Sequence, residues 1–216
     1  MRVPPWRRGW PPLSPWVTRV PGSRHAPALR PGNNSRPPPP GLAYRGLVSR
    51  PLLFLDVDGP LNPWAAQAER RPEGYTTIRV ALMPGRPLRV WLHPHHGRAL
   101  LELDYDLCWA STWMDAANVY IAPVIGLPEL PYVDFAGALF ADRPDGVHWK
   151  TERIVAYARG RPFAWVDDEL SRPDYAYVAT HHPAPALLHF VSPRLGLRKD
   201  DFTRLADFAA ALTADR

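Results

Sequence analysis

Cysteine and lysine are nearly missing from this chain of 216 residues. Cys108 is the single cysteine, so no intramolecular disulfide can form. It sits in "DLCWAS", an apolar strand-like run, and reads as a small core residue. No run approaches 18 apolar residues, which argues against a transmembrane helix and makes a soluble cytoplasmic protein with no membrane partner the default expectation. Lysine occurs only at Lys150 and Lys199, against 24 arginines. Where arginine is preferred so strongly, a retained lysine calls for a specific reason.

Residues 1–50 lack acidic side chains altogether and hold nine arginines, which leaves 17 basic against 21 acidic residues in 51–216, a net charge of about −4 there. The basic balance belongs to the leader, so the pI of about 9.6 is no argument that the rest of the chain binds nucleic acid. The leader is dense in Pro and Arg, shows no apolar periodicity, and is expected to be disordered. It lacks the 7–15-residue apolar core of a secretory signal, and its prolines oppose the amphipathic helix of an import leader. A start site downstream of it is a further bland reading, and a tether to a phosphate backbone or an anionic surface is the functional one. The expected organisation is a tail over 1–50 and one domain over 51–216.

From Pro51 onward, short apolar runs end in polar residues: "LLFLD" (52–56), "LCWAS" (107–111), "FAWVDD" (163–168) and "LLHFVS" (187–192). Helical patterns lie between or after them at 94–104, 145–160 (with Gly160 as a stop) and 200–216 (with an Asp cap). Near-continuous apolar strands alternating with helices predict an α/β fold whose parallel sheet is covered on both faces. In such sheets ligands bind beyond the carboxyl ends of the strands. Asp56 and Asp58, Ser111 and Thr112, and Asp167 and Asp168 all stand at that end of their runs and are expected to converge. The segment 75–94 departs from the pattern and reads as a β-hairpin flap turning at Pro84-Gly85.

Two aspartates one residue apart at a strand tip gain nothing from burial unless they are paired or hold a metal. One can act as nucleophile and hard oxygen ligand, the other as proton donor and acceptor. Mg²⁺ favours one or two carboxylates, several waters and a substrate phosphate. Asp167-Asp168 can complete its shell, a hydroxyl at Ser111 or Thr112 can hydrogen-bond a phosphoryl oxygen, and Lys150 can neutralise charge. Other readings stand beside these: capping pairs for the aspartates, a helix N-cap for Ser111 or Thr112, a solvated helix residue for Lys150. The histidines of "HPHH" (93–96) and His181-His182 match no zinc spacing and read as solvated loop residues. Trp109 and Trp113 read as core. Arg86, Arg89 and Arg98 are a candidate basic rim, with a solvated face as the alternative.

The ordered set "FLDVDGPLN", "WASTW", "HWK" and "FAWVDD" resembles the four motifs of the haloacid dehalogenase-like (HAD) superfamily. Its finer text is similar to the HAD domain of Swiss Army Knife RNA repair proteins. The resemblance implies a three-layer Rossmann-like fold with a minimal cap and a Mg²⁺-dependent phosphatase. Asp56 would be the nucleophile that forms an aspartyl-phosphate and a metal ligand. Asp58 would be the general acid/base and a ligand through its backbone carbonyl. Ser111, with Thr112 as its neighbouring alternative, would be the phosphate-binding hydroxyl. Lys150 would be the third-motif lysine, and Asp167 with Asp168 the remaining metal ligands. The substrate implied is a phosphomonoester, with RNA or DNA ends as the subgroup's contribution. Pro60 departs from the pattern by removing a backbone N–H, so a degenerate domain that binds phosphate or nucleic acid without turnover is the rival reading.

Overall fold

The run Leu52–Leu55 carries no polar side chain, and all four residues are buried, as a strand covered on both faces requires. The computed structural model of the chain describes residues 50–67, 70–81 and 87–214. The leader over 1–49, the Pro84-Gly85 turn and Arg86 lie outside the described residues. Twelve elements follow in order among those described: β1 (Leu52–Leu55), β2 (Thr76–Val80), β3 (Leu88–Leu92), α1 (His96–Leu101), β4 (Asp106–Trp109), α2 (Ala116–Tyr120), α3 (Ala122–Ile125), α4 (Thr151–Ala158), β5 (Phe163–Asp167), α5 (Arg172–His181), β6 (Ala186–Phe190) and α6 (Lys199–Ala214).

Four strands form one parallel sheet in the order β4-β1-β5-β6, and β2 and β3 form a separate antiparallel pair. β1 lies inside the sheet, with β4 on one side and β5 on the other, so the winding reverses at β1. Strand alternation divides the core in two. Leu53, Leu55, Leu107, Trp109, Ala164 and Val166 pack with Leu100 of α1, Ile121, Ile125 of α3 and Leu205 of α6. Leu52, Phe54, Cys108, Phe163 and Trp165 pack on the opposite face with Ile154 of α4 and Val178 of α5. The chain is thus an α/β domain with helices on both faces of the sheet. Cys108 is buried, as expected, and burial pushes its thiol up to about 11.

Several expectations need correction. Tyr132 adds a single bridge beside β4, to Trp109. The helix over 145–160 begins only at Thr151, and the left-handed residues that end it are Arg159 and Gly160 together. At α6, Asp201 Oδ2 accepts from Arg198 N at 2.7 Å and caps the start. α5 had no sequence prediction. Its start is a reciprocal cap in which Ser171 N and Oγ both donate to Asp174 Oδ2, at 2.9 and 2.6 Å. His96 and His182 are buried rather than solvated, and the His96 ring stacks on His93 at 4.7 Å. Among the described residues, no helix is long and apolar enough to cross a membrane.

The segment between Thr112 and Lys150 forms two short helices and irregular chain. Its Ala117, Ile121, Leu127 and Leu130 belong to the main core cluster, so it packs into the domain itself. Between Asp58 and β4 lie β2, β3 and α1, a hairpin and one helix.

Candidate active site

The sheet register places the polar strand ends on one edge. Leu55 of β1 is level with Trp109 of β4 and Val166 of β5, so Asp56, Ser111 and Asp167 all emerge at the carboxyl ends of adjacent strands. After β1 the chain folds back at once. Leu61 N and Asn62 N both donate to Val57 O, at 3.0 and 2.8 Å, and Gly59 N donates to Asn62 O at 2.8 Å. Gly59 has φ +100°, and a Cβ there would lie 2.4 Å from Asp168 Cγ, so the glycine lets the β5 loop approach the β1 loop.

Lys150 is the hub. It immediately precedes α4, is 2% exposed, and extends its ammonium to Asp56 Oδ2 at 2.9 Å and Asp167 Oδ2 at 2.7 Å. Its backbone is fixed by a carboxylate that the sequence reading missed. Asp174 Oδ1 accepts from His148 N at 2.7 Å and from Thr151 Oγ1 at 2.6 Å, while its Oδ2 holds Ser171. One buried aspartate therefore ties the start of α5 to residues on either side of Lys150. The solvated-helix alternative for Lys150 does not hold.

Asp58 faces other partners. Its Oδ1 accepts from Asn62 Nδ2 at 2.7 Å, and its Oδ2 from Trp113 Nε1 at 2.8 Å. Asn62 Oδ1 in turn accepts from Trp91 N of β3 at 3.0 Å, which connects the hairpin to this loop. Asp168 Oδ2 accepts from Trp64 Nε1 at 3.1 Å. Asp56, Asp167 and Asp168 each offer an oxygen within 4.8 Å of the others, an arrangement that can hold a cation. The Asp58 side chain is outside this group, as befits a residue expected to ligate through its backbone carbonyl. Ser111 and Thr112 are buried at the same edge, with Ser111 Oγ accepting from Trp113 N at 3.5 Å. The N-cap position of α2 belongs to Asp115, so neither hydroxyl takes it. Trp109 and Trp113 are both core, and the Trp113 indole N–H also serves Asp58. Arg89 lies 3.8 Å over Trp91, and Arg98 pairs with Glu102 on an exposed face, which accords with a solvated face at Arg98.

Electrostatics follow from burial with too little positive charge. Burial pushes the Asp56 carboxyl up to about 7; Lys150 opposes this, and Asp167 and Asp58 add to it. Burial, then the charges of Asp167, Asp56 and Glu169, push Asp168 up to about 8 against Lys150. Asp58 is also raised by burial, with the Asn62 and Trp113 hydrogen bonds acting against the rise. Burial disfavours the Lys150 charge, yet Asp167 and Asp56 outweigh it and hold the ammonium above the usual lysine range. One ammonium shared between two carboxylates stays charged itself without keeping Asp56 acidic.

A raised carboxyl holds its proton in the folded chain at pH values where the unfolded chain has released it. It therefore adds stability that is complete below about pH 4 and lost as pH rises through the folded value. Buried histidines act with the opposite sign. His96, pulled down to about 4 by burial, destabilises the fold mainly as pH falls below about 6.5. From pH 6.5 to 8.5 the carboxylates outweigh the histidines pulled down by burial, each of which regains roughly a few tenths of a kcal/mol as the unfolded chain loses its imidazole proton. There the metal-free protein is expected to lose about 2 kcal/mol, or roughly 4–8 °C in Tm. A Tm that is flat or rising across this window would overturn the assignment.

Asn62, Trp64 and Asp174 were not singled out in the sequence. Asn62 and Trp64 stand within eight residues of Asp56, and the Ser171/Asp174 spacing is a capping-box signal. Comparison with family models, with curated proteins and with solved structures gave no match to this chain.

Proposed function

We propose that the chain is a Mg²⁺-dependent phosphatase of the haloacid dehalogenase-like type, acting on phosphomonoesters through an aspartyl-phosphate at Asp56. The observation that carries this reading is the shared ammonium: Lys150 joins Asp56 and Asp167, and Asp168 completes three carboxylates around one point. Three carboxylates and one ammonium leave about two negative charges, which suits a divalent cation with hard oxygen ligands. Mg²⁺ held by Asp56, Asp167 and Asp168 would offset their charge and polarise the phosphoryl oxygens.

The residues divide the work. An Asp56 oxygen attacks phosphorus and the ester P–O bond breaks, while the Asp58 carboxyl gives its proton to the leaving oxygen. Water then attacks the phosphoryl group on Asp56 and loses a proton to the Asp58 carboxylate. The Asp56–phosphorus linkage breaks, freeing phosphate and restoring both side chains. Burial, which raises the Asp58 carboxyl, favours the protonated form the first step needs. Lys150 opposes charge build-up at the attacked group. Ser111 or Thr112 supplies a hydroxyl at the same edge.

A second reading, a domain that binds phosphorylated ligands without turnover, is favoured by one feature. Pro60 has no N–H, and the amides of Gly59, Leu61 and Asn62 are engaged within the loop. Phosphate release from an aryl phosphate by the full chain separates the two. Release with Mg²⁺ that falls to background in chelator supports the phosphatase. Phosphorylated ligands that bind with Mg²⁺, yet release no phosphate from any ester, would replace it with the binding module. Mg²⁺ is also expected to raise Tm more at pH 8.5 than at pH 6.5, because it competes with protons for Asp56 and Asp168.

A further inference from the structure

Beside the carboxylate cluster lies a second concavity of opposite charge. Trp64, whose indole donates to Asp168, begins a loop that runs past Ala65 toward Arg70 and Arg71. Ala65 N donates to Pro193 O at 2.9 Å, which brings the residue after Pro193, Arg194, against that loop. Arg70, Arg71 and Arg194 line a cavity of about 500 Å³ together with Glu73. Arg50, Arg98, Arg143, Arg161 and Arg198 each have a carboxylate within 4.0 Å. Arg70, Arg71 and Arg194 have none among the described residues, although Glu73 shares their cavity. Among the described lining residues, three guanidiniums stand against one carboxylate, an excess of about two positive charges.

We propose that Arg70, Arg71 and Arg194 form an anion subsite that takes a second phosphate of the substrate while the first is held at Asp56. The inference rests on the phosphatase reading and adds a substrate class to it. Guanidinium groups match phosphate oxygens in paired hydrogen bonds, and three of them can neutralise either a phosphomonoester or a phosphodiester. Trp64 donates to Asp168, and Ala66, two residues further on, lines the cavity, so the chain itself ties the cavity to the cluster, and a substrate with two phosphates is the ligand class that would span them. Two sources carry that chemistry: a small bisphosphorylated metabolite, or a nucleic-acid end whose next phosphodiester follows the terminal phosphate.

The test compares three substrates on the full chain with Mg²⁺: an aryl monophosphate, an alkanediol bisphosphate and 5′-phosphorylated dithymidine. At least one of the last two is expected to exceed the aryl ester about tenfold in kcat/KM, and which one does so identifies the source. Arg70→Gln and Arg194→Gln are each expected to erase most of that excess through KM, leaving the aryl ester within twofold of wild type. Equal rates on all three substrates, or variants that lower all three equally, would overturn the subsite. Should no substrate turn over, the phosphatase reading fails by itself, and pyrophosphate binding in chelator tests the subsite directly. Binding weakened about tenfold in both variants supports it, and wild-type protein that does not bind pyrophosphate overturns it.

Discussion

Asp56→Asn is expected to lower Mg²⁺-dependent phosphate release by at least about 10³-fold and leave the fold intact. The substitution is nearly isosteric, and an amide oxygen can still accept from Val57 N, which now donates to Asp56 Oδ1 at 2.8 Å. What it removes is the anionic oxygen that attacks phosphorus. The stability readout has a sign of its own. Because burial pushes the Asp56 carboxyl up to about 7, its negative charge destabilises the metal-free fold at pH 8.5. Asn carries no such charge, so the variant is expected to melt no lower than wild type in chelator at that pH. It is also expected to show a shallower decline between pH 6.5 and 8.5, since Asp56 no longer titrates there. A variant with wild-type turnover would remove Asp56 as the nucleophile whatever its Tm.

The strands and their polar tips were legible because burial on both faces allows no other text. Leu52–Leu55 and Phe163–Val166 are buried without exception and read as apolar runs that stop at charge. Parallel pairing then brings those tips to one edge, so Asp56 and Asp167 could be placed together before any coordinates. α5 was not legible for the converse reason. Only Asp174 and Val178 of its ten residues are buried, so it has no apolar stripe for periodicity to report. Asp174 escaped with it: its role depends on His148 and Thr151, 26 and 23 residues away. Asn62 and Trp64 were in view within "DGPLNPW", but their partners are set by loop geometry. The histidines misled because polar composition says little about a ring packed against Tyr75 and Phe202.

Lys150→Met is expected to impair stability and turnover together, and the pH dependence separates the two effects. The position is 2% exposed, and Met fills similar space without charge. Removing one partner of a buried ion pair leaves the other uncompensated, at about 3–5 kcal/mol, or on the order of 10 °C in Tm. Here two carboxylates lose the same ammonium. Without it Asp56 is pushed further up and retains its proton to higher pH, so the Tm deficit against wild type is expected to grow from pH 5.5 to 8.5. Mg²⁺ can replace the missing charge and is expected to recover part of the deficit. Turnover is not expected to recover with it, since the ammonium in contact with the nucleophile is gone; a loss of about 10²-fold or more should persist in saturating Mg²⁺. Lys150→Arg tests shape against charge. Its guanidinium is planar and broader than an ammonium, and a nearly closed slot between two carboxylates gives it no room to fork. This accounts for a lysine at 150 in a chain that otherwise prefers arginine by 24 to two. A Lys150→Arg protein with wild-type Tm and turnover would show that charge alone matters at this position. A Lys150→Met protein with wild-type values would show that the buried carboxylates do not depend on it.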